Sequence, residues 1–292
     1  MALESMQEIF DAIEKTNQPF WRVVLATDME EREVTEAASM ERMRFTWQAM
    51  LDSVESYQGE RRSVSGLVGG DGARVRDYAA KEKTLSGEYL TEVIATALSV
   101  GESNACMCKI VAAPTAGACG VLPAVLVPLY KQGNIEEEDI LKALYVASGI
   151  GAVIAFRACI AGAAGGCQAE IGSASAMAAG ALTDLRGGDA DQIGNAVAMA
   201  LKNLMGLVCD PVAGLVEVPC VKRNVVGAVN AISCADMALA GVTSRIPVDQ
   251  VIDCMGDVGR RMPVEFRETA LGGLAVTPFG QSVKEKMLKG EL

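Results

Sequence analysis

The sequence predicts a mostly α-helical protein, a single compact helical domain whose helices are joined by loops rich in Gly and Pro. Apolar residues recur at helical spacing over most of the chain. Ala, Gly and Met are plentiful while aromatic residues make up only 4%, and small side chains let helices approach closely. No linker, repeat or low-complexity tract divides the 292 residues. We therefore assign residues 61–292 to the helical domain and residues 1–60 to an N-terminal helical arm.

Helices are predicted where apolar residues recur every three or four positions. In chain order they cover residues 3–16, 20–57, 84–103, 136–161, 173–182, 189–205, 220–240 and 247–269, followed by a turn-rich closing segment over 272–280. The first ends at Asn17-Gln18-Pro19. The second is expected to break near Thr27 and Asp28, either of which can cap a new start. The fourth opens with acidic residues at 136–139, where the helix dipole favours negative charge. Residues 110–112 suit a short strand or a buried turn.

Helix ends in the second half of the chain follow from Gly, Pro and capping residues. Asp189 or Asp191 caps the helix over 189–205. Pro211 stops helical continuation, whereas Pro219 opens the next helix. The loops between these helices are expected to converge on one site.

Net charge excludes two classes of partner. The chain carries a formal charge of −11 and a sequence pI near 4.7, so neither nucleic acid nor an anionic membrane is expected to bind it. The most apolar stretch, 143–169, is interrupted by Arg157 and falls short of a membrane span. The charged N-terminus does not resemble a signal peptide. We therefore expect a cytoplasmic location and reduced cysteines.

The chain contains no histidine. This excludes a Ser-His-Asp or Cys-His catalytic device built from this chain alone. A zinc site would need cysteines or carboxylates only.

Three of the nine cysteines lie in Gly- or Pro-rich surroundings where the backbone turns. Cys167 follows a Gly-rich run in Gly-Ala-Ala-Gly-Gly-Cys-Gln-Ala-Glu-Ile-Gly (162–172), and Cys209 and Cys220 frame Cys-Asp-Pro-Val-Ala-Gly-Leu-Val-Glu-Val-Pro-Cys (209–220). Turned backbone leaves N–H groups free to point at sulfur. Three thiolates suit an iron–sulfur cluster with one iron open to a substrate. From spacing alone, the same thiols also suit a packed core.

The remaining cysteines have less distinctive surroundings. Cys106 and Cys108 form a Cys-x-Cys that suits either a metal pair or two buried thiols beside a loop. The others are interpreted as structural or core residues: Cys119, Cys159, Cys234 and Cys254.

The two cysteine segments resemble the alpha subunit of the iron–sulfur-dependent L-serine dehydratases. The resemblance extends to Ser-Gly-Leu-Val-Gly-Gly-Asp (65–71), Ala-Pro-Thr-Ala-Gly-Ala-Cys-Gly (113–120) and Leu-Gly-Gly-Leu-Ala-Val-Thr-Pro (271–278). It covers nearly the whole chain and is weakest over the first sixty residues.

The resemblance implies a [4Fe-4S] cluster held by Cys167, Cys209 and Cys220, and conversion of L-serine to pyruvate and ammonia. The open iron would act as a Lewis acid on the serine hydroxyl. It also implies substrate binding by two backbone segments: Thr115, Ala116 and Gly117, with Gly69 and Gly70 lining the site. Family members in a single chain carry a histidine-containing domain that is missing here. A separate beta subunit, and so a hetero-oligomer, is therefore expected.

The sequence does not identify the base that removes the α-proton of serine. Glu170 lies three residues after Cys167, on the same face if a helix has begun, and suits an acid–base group or a cap. Lys222 and Arg223 follow Cys220 and suit a base, a partner for the cluster charge, a ligand for the substrate carboxylate, or a solvated pair. Lys222 and Glu170 are the candidate catalytic residues.

The cysteine segments also suit functions other than serine dehydration. A related cluster-dependent lyase acting on cysteine would use the same site chemistry. A non-catalytic cluster-binding or electron-transfer module would be favoured by a fourth cysteine ligand. A pyridoxal-phosphate dehydratase would need a Schiff-base lysine beside a Gly-rich phosphate loop, and 162–166 has no matching lysine motif.

Overall fold

The computed structural model describes residues 3–133 and 135–292. Its α-helices are α1 (Met6–Thr16), α2 (Phe20–Arg32), α3 (Glu36–Glu55), α4 (Asp71–Ala79), α5 (Gly87–Ala105), α6 (Val121–Lys131), α7 (Glu137–Arg157), α8 (Gly162–Gly165), α9 (Ser173–Leu185), α10 (Ala190–Leu204), α11 (Cys220–Leu239), α12 (Val248–Arg261) and α13 (Pro278–Lys289). Four 3-10 turns, Ala116–Ala118, Val212–Gly214, Val264–Phe266 and Gly273–Val276, and one π-helical turn, Gln168–Gly172, complete them. Across these two described ranges there is no β-strand, only an isolated bridge between Cys209 and Arg267. The mostly α fold class is confirmed.

Helix α9 is the centre of the fold. It packs against α6, α7, α10 and α11, and the run from Ser173 to Thr183 is buried throughout. Eight of the eleven residues in that run are Ala, Ser or Gly, which allows close approach of the neighbouring helices. A Cβ added at Gly180 would lie 2.2 Å from Cδ1 of Ile150 on α7. Small residues therefore bring the surrounding helices close to the axis of α9.

The N-terminal helices contribute to the same core. Met6 and Ile9 of α1, Phe20 of α2 and Trp47 of α3 are buried in the main hydrophobic cluster, and α2 packs along α7. The division of the chain at residue 60 stays a prediction.

The expected break near Thr27 and Asp28 is wrong. Helix α2 continues to Arg32, and Glu33 adopts a left-handed conformation (φ 53°) as its C-cap. Thr35 then caps α3 by accepting a hydrogen bond from the Ala38 N–H. A side-chain cap and a left-handed residue together define the turn more strongly than a single capping residue inside a helical run.

Helices α4, α6, α8 and α13 fall outside the predicted helical ranges, and one predicted helix is too long. Helix α4 begins directly after Gly70, inside the segment interpreted as a Gly-rich loop, and α13 follows the turn-rich segment. The predicted helix over 247–269 ends at Arg261, before Pro263. The backbone over 110–112 is irregular, neither strand nor helix.

Helix α7 is the one described helix that is long and apolar enough to cross a membrane. Of its most apolar 18-residue window, 67% is buried inside the protein. Its interior residues, among them Ile140 and Ile150, belong to the main core.

Candidate active site

The three predicted cluster cysteines come from three different elements. Cys167 immediately precedes the π-helical turn that leads into α9. Cys209 lies in the loop between α10 and α11, and Cys220 is the first residue of α11. All three are buried. Because helices end at Gly166 and begin after Pro219, Cys167 and Cys220 lie next to helix ends, and Cys209 lies in a loop.

Cys167, Cys209 and Glu170 form one compact group. One ligand atom from each of them lies within 4.8 Å of the others. Glu170 occupies the π-helical turn that follows Cys167. The wider π-helical turn places the carboxylate beside the thiol three residues earlier, as the sequence predicts for a helix that has begun. Two buried thiols and a partly buried carboxylate therefore converge at this point.

The C-terminal segment holds the Cys209 backbone in place. The Cys209 N–H donates to the Phe266 carbonyl at 2.8 Å, and the Glu268 N–H donates to the Cys209 carbonyl at 2.9 Å. These two bonds flank the bridge between Cys209 and Arg267. Residues 266–268 thereby fix a cysteine that lies almost sixty positions earlier in the chain.

Arg223 contacts Cys167 from the first turn of α11. Its Nη1 lies 3.3 Å from Cys167 Sγ and donates to the Val208 carbonyl at 2.8 Å. Its Nη2 forms an ion pair with Asp210 at 2.9 Å. Asp210 in turn accepts the Leu274 N–H at 2.8 Å. The guanidinium thus links a candidate cluster ligand to the loop that carries another.

The three thiols differ in pKa because their surroundings differ. The pKa of Cys167 is lowered, first because the Cys209 S–H donates to its sulfur and then because the Arg223 guanidinium lies beside it. The pKa of Cys209 is raised because it holds that proton, and burial adds to the effect. Burial and the negative charge of Cys167 raise the pKa of Cys220 to about 12. Cys167 is therefore the first of the three to become a thiolate, the form that binds metal.

Asn224 connects Cys220 to the loop over 115–120. Its Nδ2 donates to the Cys220 carbonyl at 3.1 Å and to the Gly117 carbonyl at 2.8 Å. Its Oδ1 accepts the Gly120 N–H at 2.8 Å. Sequence reasoning missed this residue, although its spacing of four from Cys220 places both on one helix face.

Glu170 is enclosed by the predicted substrate loop. The Thr115 hydroxyl donates to its Oε1 at 2.8 Å. A Cβ added at Gly117 would lie 3.3 Å from Oε1, and one at Gly162 would lie 2.7 Å from Oε2. Burial raises the pKa of Glu170, and the Thr115 hydrogen bond only partly opposes this shift. The two glycines therefore leave room for a carboxyl that keeps its proton more readily than a solvated one.

Lys222 and the Gly69–Gly70 pair lie together at the rim of the site. Lys222 Nζ pairs with Asp71 at 3.0 Å, and its side chain is 69% exposed. Asp71 follows Gly70 and begins α4. The buried Glu102 accepts the Asp71 N–H at 2.7 Å, which holds this helix start against α5. Sequence reasoning did not identify Asp71 and Glu102, whose roles depend on contacts far apart in the chain.

The other cysteines lie apart from this group. Cys108 accepts from Arg61 Nη1 at 3.2 Å, and neither it nor Cys106 joins a three-ligand group in the described ranges. Cys119 and Cys234 are fully buried, as expected for core residues. Cys254 is exposed, and Cys159 lies beyond the end of α7 and is only partly buried, so their assignment to helical core faces is wrong.

Comparison with known sequences decides the family. Residues 15–275 match the family described as "Serine dehydratase alpha chain". The chain belongs to this family. Among its relatives is the probable L-serine dehydratase alpha chain of Bacillus subtilis (strain 168), 46% identical over 270 residues, which are 92% of this chain and 90% of that protein. The L-serine dehydratase alpha chain of Peptoniphilus asaccharolyticus is 40% identical over 292 residues, 98% of this chain and 99% of that protein.

Other relatives are longer than this chain. The L-serine dehydratase TdcG of Escherichia coli (strain K12) is 38% identical over 240 residues, which are 79% of this chain but only 52% of that protein. About half of that protein therefore has no counterpart here, whereas the proteins named as alpha chains match nearly end to end.

Proposed function

We propose that this chain is the alpha subunit of an L-serine dehydratase, a carbon–oxygen lyase that converts L-serine to pyruvate and ammonia. The observation that carries the proposal is the convergence of Cys167, Cys209 and Glu170 in a member of the serine dehydratase alpha chain family. Cys220 lies near enough to interact electrostatically with Cys167. The proposed cofactor of this enzyme is a [4Fe-4S] cluster bound by Cys167, Cys209 and Cys220.

The donor set is suited to such a cluster. Three buried thiols, two next to helix ends and one in a loop, offer the soft sulfur ligands that iron–sulfur clusters require. The nearest further donor is the Glu170 carboxylate rather than a fourth cysteine, which favours a cluster with one open iron over a closed electron-transfer site. The Arg223 guanidinium, 3.3 Å from Cys167 Sγ, supplies positive charge beside thiolates that would otherwise repel one another.

The reaction must remove an α-proton and expel hydroxide, a poor leaving group. A bound cluster supplies a Lewis acid that stabilises the negative charge of the departing hydroxide. Glu170 is the favoured base: its carboxylate form accepts the α-proton, and the electron pair of the C–H bond forms the double bond as the C–O bond breaks. The enamine product then tautomerises and is hydrolysed to pyruvate and ammonia.

Backbone amides in the 3-10 turn Ala116–Ala118 are proposed to bind the substrate carboxylate. The first amides of a helical turn have no partner inside that turn and attract anions. Gly117 lies against Glu170, so a carboxylate held there places the α-carbon near the proposed base. The Gly69–Gly70 segment, joined to α11 through Asp71 and Lys222, is proposed to line the same cleft.

A beta subunit is the proposed partner, forming a hetero-oligomer in the cytoplasm. This chain has no histidine, and it matches only about half of the longer E. coli relative. The relatives that match over nine-tenths of this chain are named alpha chains, and a second chain that carries the histidine-containing segment is proposed to complete the site.

The first test measures iron and acid-labile sulfide on anaerobically prepared wild-type protein. About four of each per chain are expected, together with pyruvate formation from L-serine once the beta subunit is added. Iron-free protein after careful reconstitution would contradict the proposal. Preferred turnover of L-cysteine, with sulfide released, would identify the related desulfidase activity instead.

The identity of the base is tested with Glu170→Gln and Lys222→Gln. Loss of a general base costs about 100-fold or more in rate. We expect that loss in Glu170→Gln with iron content retained, because the amide preserves the shape but cannot take a proton. The same loss in Lys222→Gln alone would assign the base to the lysine.

A further inference from the structure

The inference concerns the Arg223–Asp210 ion pair beside the cysteines, and it rests on the function proposed above. The pair is well buried, with side chains 14% and 5% exposed. Burying two charges is costly unless both are fully paired and hydrogen-bonded. Here Arg223 contacts Cys167 Sγ, the Val208 carbonyl and Asp210, and Asp210 also accepts the Leu274 N–H.

These contacts occupy both terminal nitrogens of the guanidinium with protein acceptors. Nη1 donates to a sulfur and to a carbonyl, and Nη2 donates to Asp210. The carbonyl belongs to Val208, the residue directly before Cys209. The guanidinium therefore spans the segments that carry two of the three proposed ligands.

The loop over 271–277 is shaped around Asp210. Gly273 has a φ of +58°, and a Cβ added there would lie 2.4 Å from Asp210 Oδ2. The Leu274 N–H reaches the same oxygen at 2.8 Å. Asp210 is thus held at Oδ2 by this loop while its Oδ1 pairs with Arg223.

We propose that Arg223 is a positioning residue for the cluster, held by Asp210, that retains iron and raises the reduction potential through its contact with Cys167. A positive donor on a ligating sulfur stabilises the electron-rich reduced state and so raises the potential. Outer-shell partners of this kind also hold the ligand in its binding orientation.

The test uses anaerobically reconstituted Arg223→Gln, Arg223→Lys and Asp210→Asn. The rate of iron transfer to a ferrous chelator and the midpoint potential in an EPR-monitored titration are measured on each. Arg223→Gln is expected to lose iron about 10- to 100-fold faster than wild type and to titrate at a lower potential. Arg223→Lys keeps charge but not the planar fork, and is expected to recover the potential more than the iron retention. Asp210→Asn is expected to show a smaller change in both.

Arg157→Gln is the matched control. Arg157 forms an ion pair with Asp253 at 2.7 Å and has a side chain 25% exposed, but it contacts none of the three cysteines. Its loss is expected to change neither iron release nor the potential. Equal acceleration in Arg157→Gln and Arg223→Gln would show a general loss of stability and overturn the proposal.

Wild-type protein that holds a full cluster, with unchanged iron release and potential in Arg223→Gln, would overturn this inference and leave the proposed function standing. Wild-type protein that takes up no iron would overturn both.

Discussion

Buried cysteines occur in two environments in this protein, and burial does not distinguish them. Cys119 and Cys234 are as inaccessible as Cys167 and Cys209. Each of the first two packs inside the helical core, and burial raises the pKa of Cys119 to about 12 and that of Cys234 to about 11. The site cysteines instead face one another and an arginine. The comparison shows that convergence of thiols from separate elements beside a compensating cation, and not burial alone, distinguishes the candidate site from the core cysteines.

The largest effect is expected from removing a site thiol. Cys167→Ala, Cys209→Ala and Cys220→Ala should each lose essentially all cluster iron, because two remaining thiolates cannot hold a cubane. Iron and acid-labile sulfide per chain measure this directly. Cys119→Ala and Cys234→Ala are the controls and should retain the wild-type content. Full retention in all three site variants would place these thiols with the core cysteines.

A smaller effect is expected from filling the space beside Glu170. Gly162→Ala places a methyl group 2.7 Å from the Glu170 carboxylate and 3.3 Å from Cys209 Sγ. The carboxylate is the flexible end of its side chain and can move, so the fold and the iron should be retained. Displacement of a catalytic group by about 1 Å is expected to cost about 10- to 100-fold in kcat.

Gly172→Ala is the control for that variant, since an added Cβ there meets only contacts of 3.9 Å. Its kcat should match the wild type. Equal losses in the two variants would mean that the backbone flexibility of residues 162–172, rather than the position of the carboxylate, limits the rate.

The Thr115 hydroxyl should matter less. Thr115→Val removes the hydrogen bond to Glu170 Oε1 and is expected to lower kcat/KM about 3- to 10-fold, in keeping with the loss of one hydrogen bond. Thr115→Ser keeps the hydroxyl and should recover most of the activity. A serine variant as impaired as the valine variant would point to packing of the lost methyl group instead.

The smallest effect is expected in the core. Cys119→Ala should lower the free energy of unfolding by about 1 kcal/mol, the value of a small buried apolar group. Urea denaturation of the metal-free protein measures it. A change in iron content without a change in stability would contradict the assignment of Cys119 to the core.

Local structure can be predicted from the sequence, whereas most contacts around the candidate site cannot, and the reason is physical. Helical periodicity and caps such as Asp189, which forms a capping box with Gln192, are local and can be read from neighbouring residues. The contact of Glu170 with Cys167 is likewise local. By contrast, the Asp210–Leu274 bond, the Lys222–Asp71 pair and the Asn224 link to the loop over 115–120 join distant parts of the chain. No short-range pattern reports them.

The pairing of Cys209 with residues 266–268 has a consequence for biosynthesis. The cysteine is translated well before the backbone that holds it, and the Leu274 N–H that fixes Asp210 is translated later still. A nascent chain can therefore present all three thiols while the frame around one of them does not yet exist. Under the proposed function, the cluster site is therefore complete only once residues 266–274 have folded against the loop that carries Cys209.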